Sequence, residues 1–295
     1  MKSSQSDRGA LLLMALIVLI WSYTWVVLKY LSAYVSPFDL VVWRYSFGSL
    51  FLFIVLAVTK QSLRFPPFWP TVGIALFQTA AFSCLAQLAL IVGGTGQVVM
   101  LVYTMPFWVV LLAWPLLHER PGGRQIFGCI LAGLGLIAVI APWEGLGGIG
   151  SSMLALAGGL CWGLGTILSK RLYQRRAPNV LVVTAWQMLL GAVMTSPFMW
   201  WEAPTATQWS FPVVLGIAYL AILASAAGWV LWLLIVRRVS AVMAGMSGLA
   251  IPVLVIFLAW AMLDEKPSIL EFAGMALILA GLVVVSLSQY RRAGQ

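Results

Sequence analysis

Few side chains in this sequence are equipped for chemistry, and their placement favours binding over bond-breaking. There are eight acidic residues and one histidine, His118, which adjoins Glu119 in "LLHERP" (116–121). A second Glu-x-Pro ending recurs in "MLDEKP" (262–267). No serine, histidine and acid can be brought to one depth from these positions, so a nucleophile–base–acid set has nothing to be built from. Cys84, Cys129 and Cys161 stand singly, without the C-x-x-C spacing of a metal site or the pattern of a disulfide framework. We expect no enzyme, no metal and no cofactor. What remains for recognition is aromatic rings, amides, hydroxyls and one arginine. Trp21, Tyr23, Trp25, Tyr103, Trp108, Trp162, Trp186, Trp229 and Trp232 lie inside long apolar runs. An indole there wants a hydrogen-bond partner, and Gln78, Ser83, Gln87, Gln97, Thr104, Gln187 and Ser225 are the groups available. Together they read as a neutral cavity with aromatic walls. Gln78, Tyr103, Trp162, Trp186, Trp229 and Trp21 are the expected substrate contacts, with lipid-facing packing as the competing reading. Trp69, Trp143, Trp200, Trp201 and Trp209 fit an interfacial belt instead.

The elements that must position these groups follow from composition. The chain is 62% hydrophobic and 8% charged, where soluble proteins carry about 25% charged residues. Too little polar surface remains to face water, so the bilayer is the solvent. Ten runs approach the roughly 20 residues a crossing helix needs: 9–31, 37–58, 68–92, 96–117, 122–141, 151–170, 178–200, 211–235, 241–263 and 268–289. Period-2 alternation, the mark of a membrane barrel, is missing. The first run continues without charge from Gly9 to Leu28 and has no small-residue cleavage pattern, so it is expected to be retained as a span. Net charge is +9, and its distribution argues against nucleic acid. With the N-terminus in the cytosol, 14 Lys and Arg fall at the inner face, and three (Lys29, Arg44, Lys266) in the outer half. The positive-inside rule then places both termini in the cytosol. The expected fold is an all-α integral membrane protein of ten transmembrane helices.

The paired Glu-x-Pro endings belong to a repeat. At an offset of 141, Trp21 and Lys29 fall on Trp162 and Lys170, and Pro37 on Pro178. At an offset of 146, Pro106 falls on Pro252, Glu119 on Glu265, Pro121 on Pro267, Gly128 on Gly274 and Gly135 on Gly281. Residues 1–145 and 146–295 thus form two five-helix repeats. Five is odd, so the second copy is inverted, as in many secondary transporters. Glu119 and Glu265 are either coupling carboxylates or gates, or they offset the unpaired amides at helix starts. Pro106 and Pro252 remove mid-span hydrogen bonds and are expected to kink their helices. With Gly94 in "VGGTGQ" (92–97) and Gly245 in "SAVMAGMSGLAIP" (240–252), they are the candidate hinges. Arg44, seven residues after Pro37, is costly at that depth. It either serves a gate, vestibule or substrate, snorkels outward, or pairs with Asp39. Lys29 and Lys170 end their spans as interface anchors or vestibule charges. "GLCWGLG" (159–165) and "LAGLG" (131–135) permit close helix contacts.

A Pro-containing apolar helix, then "HERP" or "DEKP", then a Gly-rich helix resembles the drug/metabolite transporter superfamily of EamA type. "SPFDLVVWRYSFGSLFLF" (36–53) resembles that family's second helix, with its Arg after a Pro; Ala185 breaks the pattern in the second half. Within the superfamily the chain is similar to YddG-like exporters of aromatic amino acids. The resemblance implies export of small organic metabolites, amino acids foremost, by alternating access across a bacterial inner membrane. Helices one to four and six to nine would build the cavity, with five and ten as supports. A monomer in membrane lipid is expected. The alternative class, a membrane-embedded enzyme acting on lipid or isoprenoid, needs an acid or histidine cluster at a membrane face. A channel would need a polar-lined pore or charged ring.

Overall fold

The computed structural model describes residues 2–92, 95–140, 148–200, 207–263 and 269–293. The described residues are helical, without strands. Among the described residues, eight helical stretches are long and apolar enough to cross a membrane, and Gly123–Val139 and Phe272–Val285 are shorter apolar helices.

The first stretch is α1 (Lys2–Leu31), and the second is α2 (Pro37–Val58). The start of α2 is set locally. The Ser36 hydroxyl accepts from the Asp39 amide at 3.3 Å, Pro37 takes the first turn, and Asp39 adds a carboxylate at the positive helix end. Arg44 follows two turns later. The third stretch is not a uniform α-helix. It runs from α3 (Phe68–Ile74) through a π-helical segment (Ala75–Ala81) into α4 (Phe82–Val92). The eighth run repeats this as α10 (Phe211–Tyr219), a π segment (Leu220–Ala227) and α11 (Gly228–Arg238).

Two expected spans are broken. The run at 96–117 divides into α5 (Thr95–Val102) and α6 (Met105–Leu117). The run at 241–263 divides into α12 (Ala241–Ser247) and α13 (Ala250–Leu263). The prolines were expected to kink continuous helices, but Pro106 sits in the first turn of α6 and Pro252 is the third residue of α13. A proline costs nothing at a helix start, where its amide would be unpaired anyway. The turns are closed by tight bonds, Thr104 N to Leu101 O and Leu249 N to Met246 O.

The remaining elements are α7 (Gly123–Ile140), α8 (Ile149–Arg175), α9 (Val180–Thr195) and α14 (Ile269–Ala293). Helices α7 and α14 cross at four glycines. A β-carbon on Gly135 would lie 2.5 Å from the Gly274 carbonyl oxygen, and one on Gly281 2.5 Å from that of Gly128. Only glycine lets the backbones meet this closely. The contacts pair 128 with 281 and 135 with 274, the positions matched at the 146-residue offset but exchanged between halves.

Candidate functional site

The site is a cleft of about 560 Å³, counting the part open to the outside. One wall is a single face of α1, formed by Trp21, Thr24, Trp25 and Leu28. These positions are i, i+3, i+4 and i+7, one stripe of a helix. Another wall is the same stripe on α4, formed by Ser83, Ala86, Gln87 and Leu90. Arg44 of α2, Tyr103 at the α5–α6 break, Trp162 of α8 and Trp229 of α11 complete it, with Phe82 beside them.

The floor is an indole cluster. The Trp21 ring lies 5.4 Å from Trp162 and 5.2 Å from Trp229, both edge-on, and Trp162 is 5.5 Å from Trp232. Tyr103 meets Trp162 edge-on at 5.6 Å. Such contacts add about 0.5–1.5 kcal/mol each beyond burial. Gly228 makes room for it, since a β-carbon there would strike the Trp21 indole nitrogen. The Trp21 N–H donates to the Ala224 carbonyl at 2.9 Å, and the Trp25 N–H donates to the Tyr103 hydroxyl at 3.2 Å. The indole nitrogens of Trp162, Trp229 and Trp232 are buried without a partner. Unpaired buried donors are uncommon and costly. Trp162 and Trp229 nonetheless line the cleft with other atoms of their side chains.

Arg44 is buried, at 9% exposure, and neither snorkels outward nor pairs with Asp39. Its Nε donates to the Ser225 hydroxyl at 2.9 Å, and its guanidinium carbon lies 4.9 Å from the Tyr45 ring centre. Ser225 and Ala224, which hold Arg44 and Trp21, belong to the same π segment. π-Helical turns are common at functional sites, and here the turn supplies the carbonyl that holds Trp21 and the hydroxyl that holds Arg44. The Tyr45 hydroxyl and the Ser83 hydroxyl are 2.8 Å apart on the α2–α4 side.

The structure thus brings Trp21, Tyr103, Trp162, Trp229 and Arg44 together, but not the other expected contacts. Gln78 is fully buried between the first π segment and α8, donating to Thr166 Oγ1 at 3.4 Å and accepting from Ser169 Oγ at 3.4 Å. Trp186 packs on Phe53 and Phe65, and its N–H donates to the Leu63 carbonyl at 3.2 Å, away from the cleft. Tyr23 is on the opposite face of α1, edge-on to Tyr219. Gly94, Gln97's side chain and Glu265 lie outside the described residues. The sequence reading omitted Thr24, Leu28, Phe82, Ala86 and Leu90 from the walls. The i, i+3, i+4, i+7 spacing around Trp21 and around Gln87 was the available signal.

At the other end of the bundle, polar contacts join elements that are distant in the chain. Here α6 ends in a left-handed residue, His118 (φ 57°), and the Glu119 amide donates back to the Ala113 carbonyl at 3.2 Å. Glu119 does not serve the helix that follows it. Its Oε2 accepts from the Ala241 amide at the start of α12 at 2.9 Å, and its Oε1 accepts from Gln174 Nε2 at 3.4 Å. Lys170 is no surface anchor; its Nζ donates to the Val236 and Val239 carbonyls, capping the end of α11. Gly245 lets α12 press on α6, as a β-carbon there would lie 3.2 Å from Val109 Cβ.

The EamA-like transporter family model matches residues 8–141 and again 150–287. The chain belongs to the EamA-like transporter family. A transporter of Bacillus subtilis (strain 168), YvbV, is 27% identical over 292 residues, covering 97% of this EamA-like chain and 94% of that protein. A probable amino-acid metabolite efflux pump of Escherichia coli (strain K12) is 24% identical over 281 residues, covering 91% and 92%. A protein of known crystal structure at 22% identity superposes with a TM-score of 0.81 over 96% of this chain and 98% of the other, a likeness of fold. The family, its named relatives and the apolar helices make this EamA-like protein a multi-pass membrane transporter.

Proposed function

We propose that this EamA-like protein exports small organic metabolites, amino acids with aromatic or other neutral side groups foremost, by alternating access around the indole-floored cleft. The observation that carries the reading is the asymmetry of the bundle. A lined cleft occupies the part built by the second half of α1 and by α4, while Glu119, Lys170 and Gly245 hold the opposite end together. With ten helices in two inverted five-helix repeats, both termini cytosolic and the basic loops at the inner face of a bacterial inner membrane, this form opens outward. The inward-opening form is its counterpart with the halves exchanged. The helix breaks at 103–104 and 248–249 are the hinges, and α7 with α14 form the support.

Aromatic walls suit a flat apolar side group. Among the described residues no carboxylate lines the cleft. A coupled cation needs a counter-charge or a ring of oxygens, so movement is facilitated and export follows from high internal concentration. In proteoliposomes, tryptophan flux is expected to saturate with concentration and to persist with no imposed pH or sodium gradient. Replacing Trp162 with Ala is expected to lower that flux at least tenfold while the protein still inserts. Accumulation that needs a proton or sodium gradient and collapses with the matching ionophore would overturn the facilitated mechanism.

A further inference from the structure

Among the described residues that line the cleft, Arg44 is the one charged group, and none of the others neutralises it. Arg44 uses Nε on Ser225, and no carboxylate among the described residues lies against it. Among the described residues the bond from Nε is the one hydrogen bond of the Arg44 side chain, which leaves its two terminal nitrogens free. A guanidinium is always charged and presents a planar fork that matches a carboxylate. Holding that charge at membrane depth without a counter-ion is expensive, and a ligand that arrives with the missing negative charge recovers the cost.

The second half of the chain shows that the arginine is not a requirement of the fold. Ser225 stands 146 residues after Thr79, in the matching "TAA" and "SAA" of the two π segments (225 − 79 = 146). The partner position of Arg44 at the other offset is Ala185 (185 − 44 = 141), which is fully buried. The Thr79 hydroxyl, the counterpart of the group that holds Arg44, is buried with no partner. The pair of Arg44 and Ser225, one from each half, keeps the cation and its acceptor, while the counterpart pair of Ala185 and Thr79 folds with the acceptor orphaned. The charge is retained only where it faces the cleft.

We propose that Arg44 is the anchor for a carboxylate, and that the ligand class of the cleft is small aromatic or aliphatic carboxylates whose apolar group lies on the Trp21, Trp162, Trp229 and Tyr103 floor. This rests on the transport reading above. Because the cleft supplies a cation and no described anion, the carboxylate is required and an amino group is not. Zwitterionic amino acids are members of the class, and their des-amino analogues are equally good ones. Ser225 is a positioning residue that holds the fork at the cleft wall.

The test uses three probes that share one ring system: tryptophan, indole-3-propionate, which lacks the amine, and tryptamine, which lacks the carboxylate. Binding is read on the purified full-length protein by ligand-dependent thermal shift, and transport separately by competition with labelled tryptophan in proteoliposomes. Tryptophan and indole-3-propionate are expected to bind within about threefold of one another, and tryptamine at least tenfold more weakly, as losing a charge-assisted fork implies. Arg44→Gln should weaken both carboxylates about 10- to 100-fold and remove the preference over tryptamine, while Arg44→Lys restores part of it. Tryptamine binding as tightly as indole-3-propionate to the parent, or no carboxylate binding to the parent at all, overturns the anchor even if Arg44 variants fail to fold. Carboxylate-selective binding without tryptophan flux would instead sink the transport reading and leave the anchor standing.

Discussion

Glu119 shows how one side chain ties the two halves. An isolated reading makes it a helix-end carboxylate serving the proline-led helix after it. In the fold it satisfies the first amide of α12, 122 residues away, beside the Ser240 hydroxyl that accepts from the Met243 amide at 3.2 Å. Two unpaired donors of α12 are thereby met, one by its own cap and one from the other half. A hydrogen bond to a charged acceptor at this half-buried place contributes about 1–2 kcal/mol. Removing it should shift the balance toward the form open at that end by about 5- to 30-fold. With the three native cysteines replaced, a reporter cysteine at Ala244, fully buried here, is expected to label faster by that factor in Glu119→Ala. Glu119→Gln, which keeps an acceptor, should lie between. An unchanged labelling rate in the Ala variant would reduce Glu119 to a local cap.

Among the elements, the α7–α14 pair is the most constrained by shape. Its four glycines bring each helix's backbone within reach of the other's carbonyls, and any added carbon overlaps. Gly135→Ala is expected to destabilise the protein by about 1–3 kcal/mol, the cost of overpacking a tight contact. Gly123→Ala is the control, because nothing lies within 4 Å of its β-carbon position and alanine is the better helix former. Thermal unfolding in detergent should separate the two, with a lower Tm for the first and an equal or higher one for the second. Equal Tm values for Gly135→Ala and the parent would mean that the helices separate freely. The glycines of α8 act differently. Gly159 admits the Val102 carbonyl at the break between α5 and α6, and a β-carbon there would be 2.8 Å from it. Close packing thus sits beside the break between α5 and α6 as well as between α7 and α14.

At the scale of the molecule, the basic residues collect at the end that holds Glu119, where Lys60, Arg64, Arg120, Arg124, Lys170, Arg171, Arg175, Arg176, Arg237 and Arg238 fall. The cleft end has Lys29 and Arg44. The inner face is therefore expected at the Glu119 end. Single cysteines at Arg176 and at Ser210, both exposed and at opposite ends, should react with a membrane-impermeant reagent from opposite sides. Ser210→Cys should label in intact cells, and Arg176→Cys only after the membrane is opened. Labelling of both from outside would sink the orientation and with it the outward-open assignment. The exposed tryptophans fit the same layering, since Trp69, Trp200 and Trp209 are exposed near span ends while the floor indoles are buried.

The sequence by itself determined the solvent, the helical class, the approximate spans and the transporter family, because each follows from sums over many residues. Apolar length, charge bias and a motif repeated twice all survive ignorance of where any one side chain points. Hydropathy did not mark which face of a helix looks inward. In α1 the outward Leu12, Leu16, Leu19, Tyr23 and Val26 are as apolar as the buried Met14, Ile17, Trp21 and Leu28. With lipid on one side and protein on the other, hydropathy has no contrast by which to mark the core. That is why Trp186 and Gln78 read as well as Trp162 did, and why Trp186 and Gln78 lie elsewhere. The breaks at 103–104 and 248–249, the π turns and Glu119's hold on α12 are also tertiary decisions. Each depends on a neighbour that is distant in the chain and adjacent only after packing, such as Gly159 against Val102 or Gly228 against Trp21. The unpartnered charge of Arg44 belongs to the same class, because only the assembled cleft shows that no described carboxylate comes to meet it.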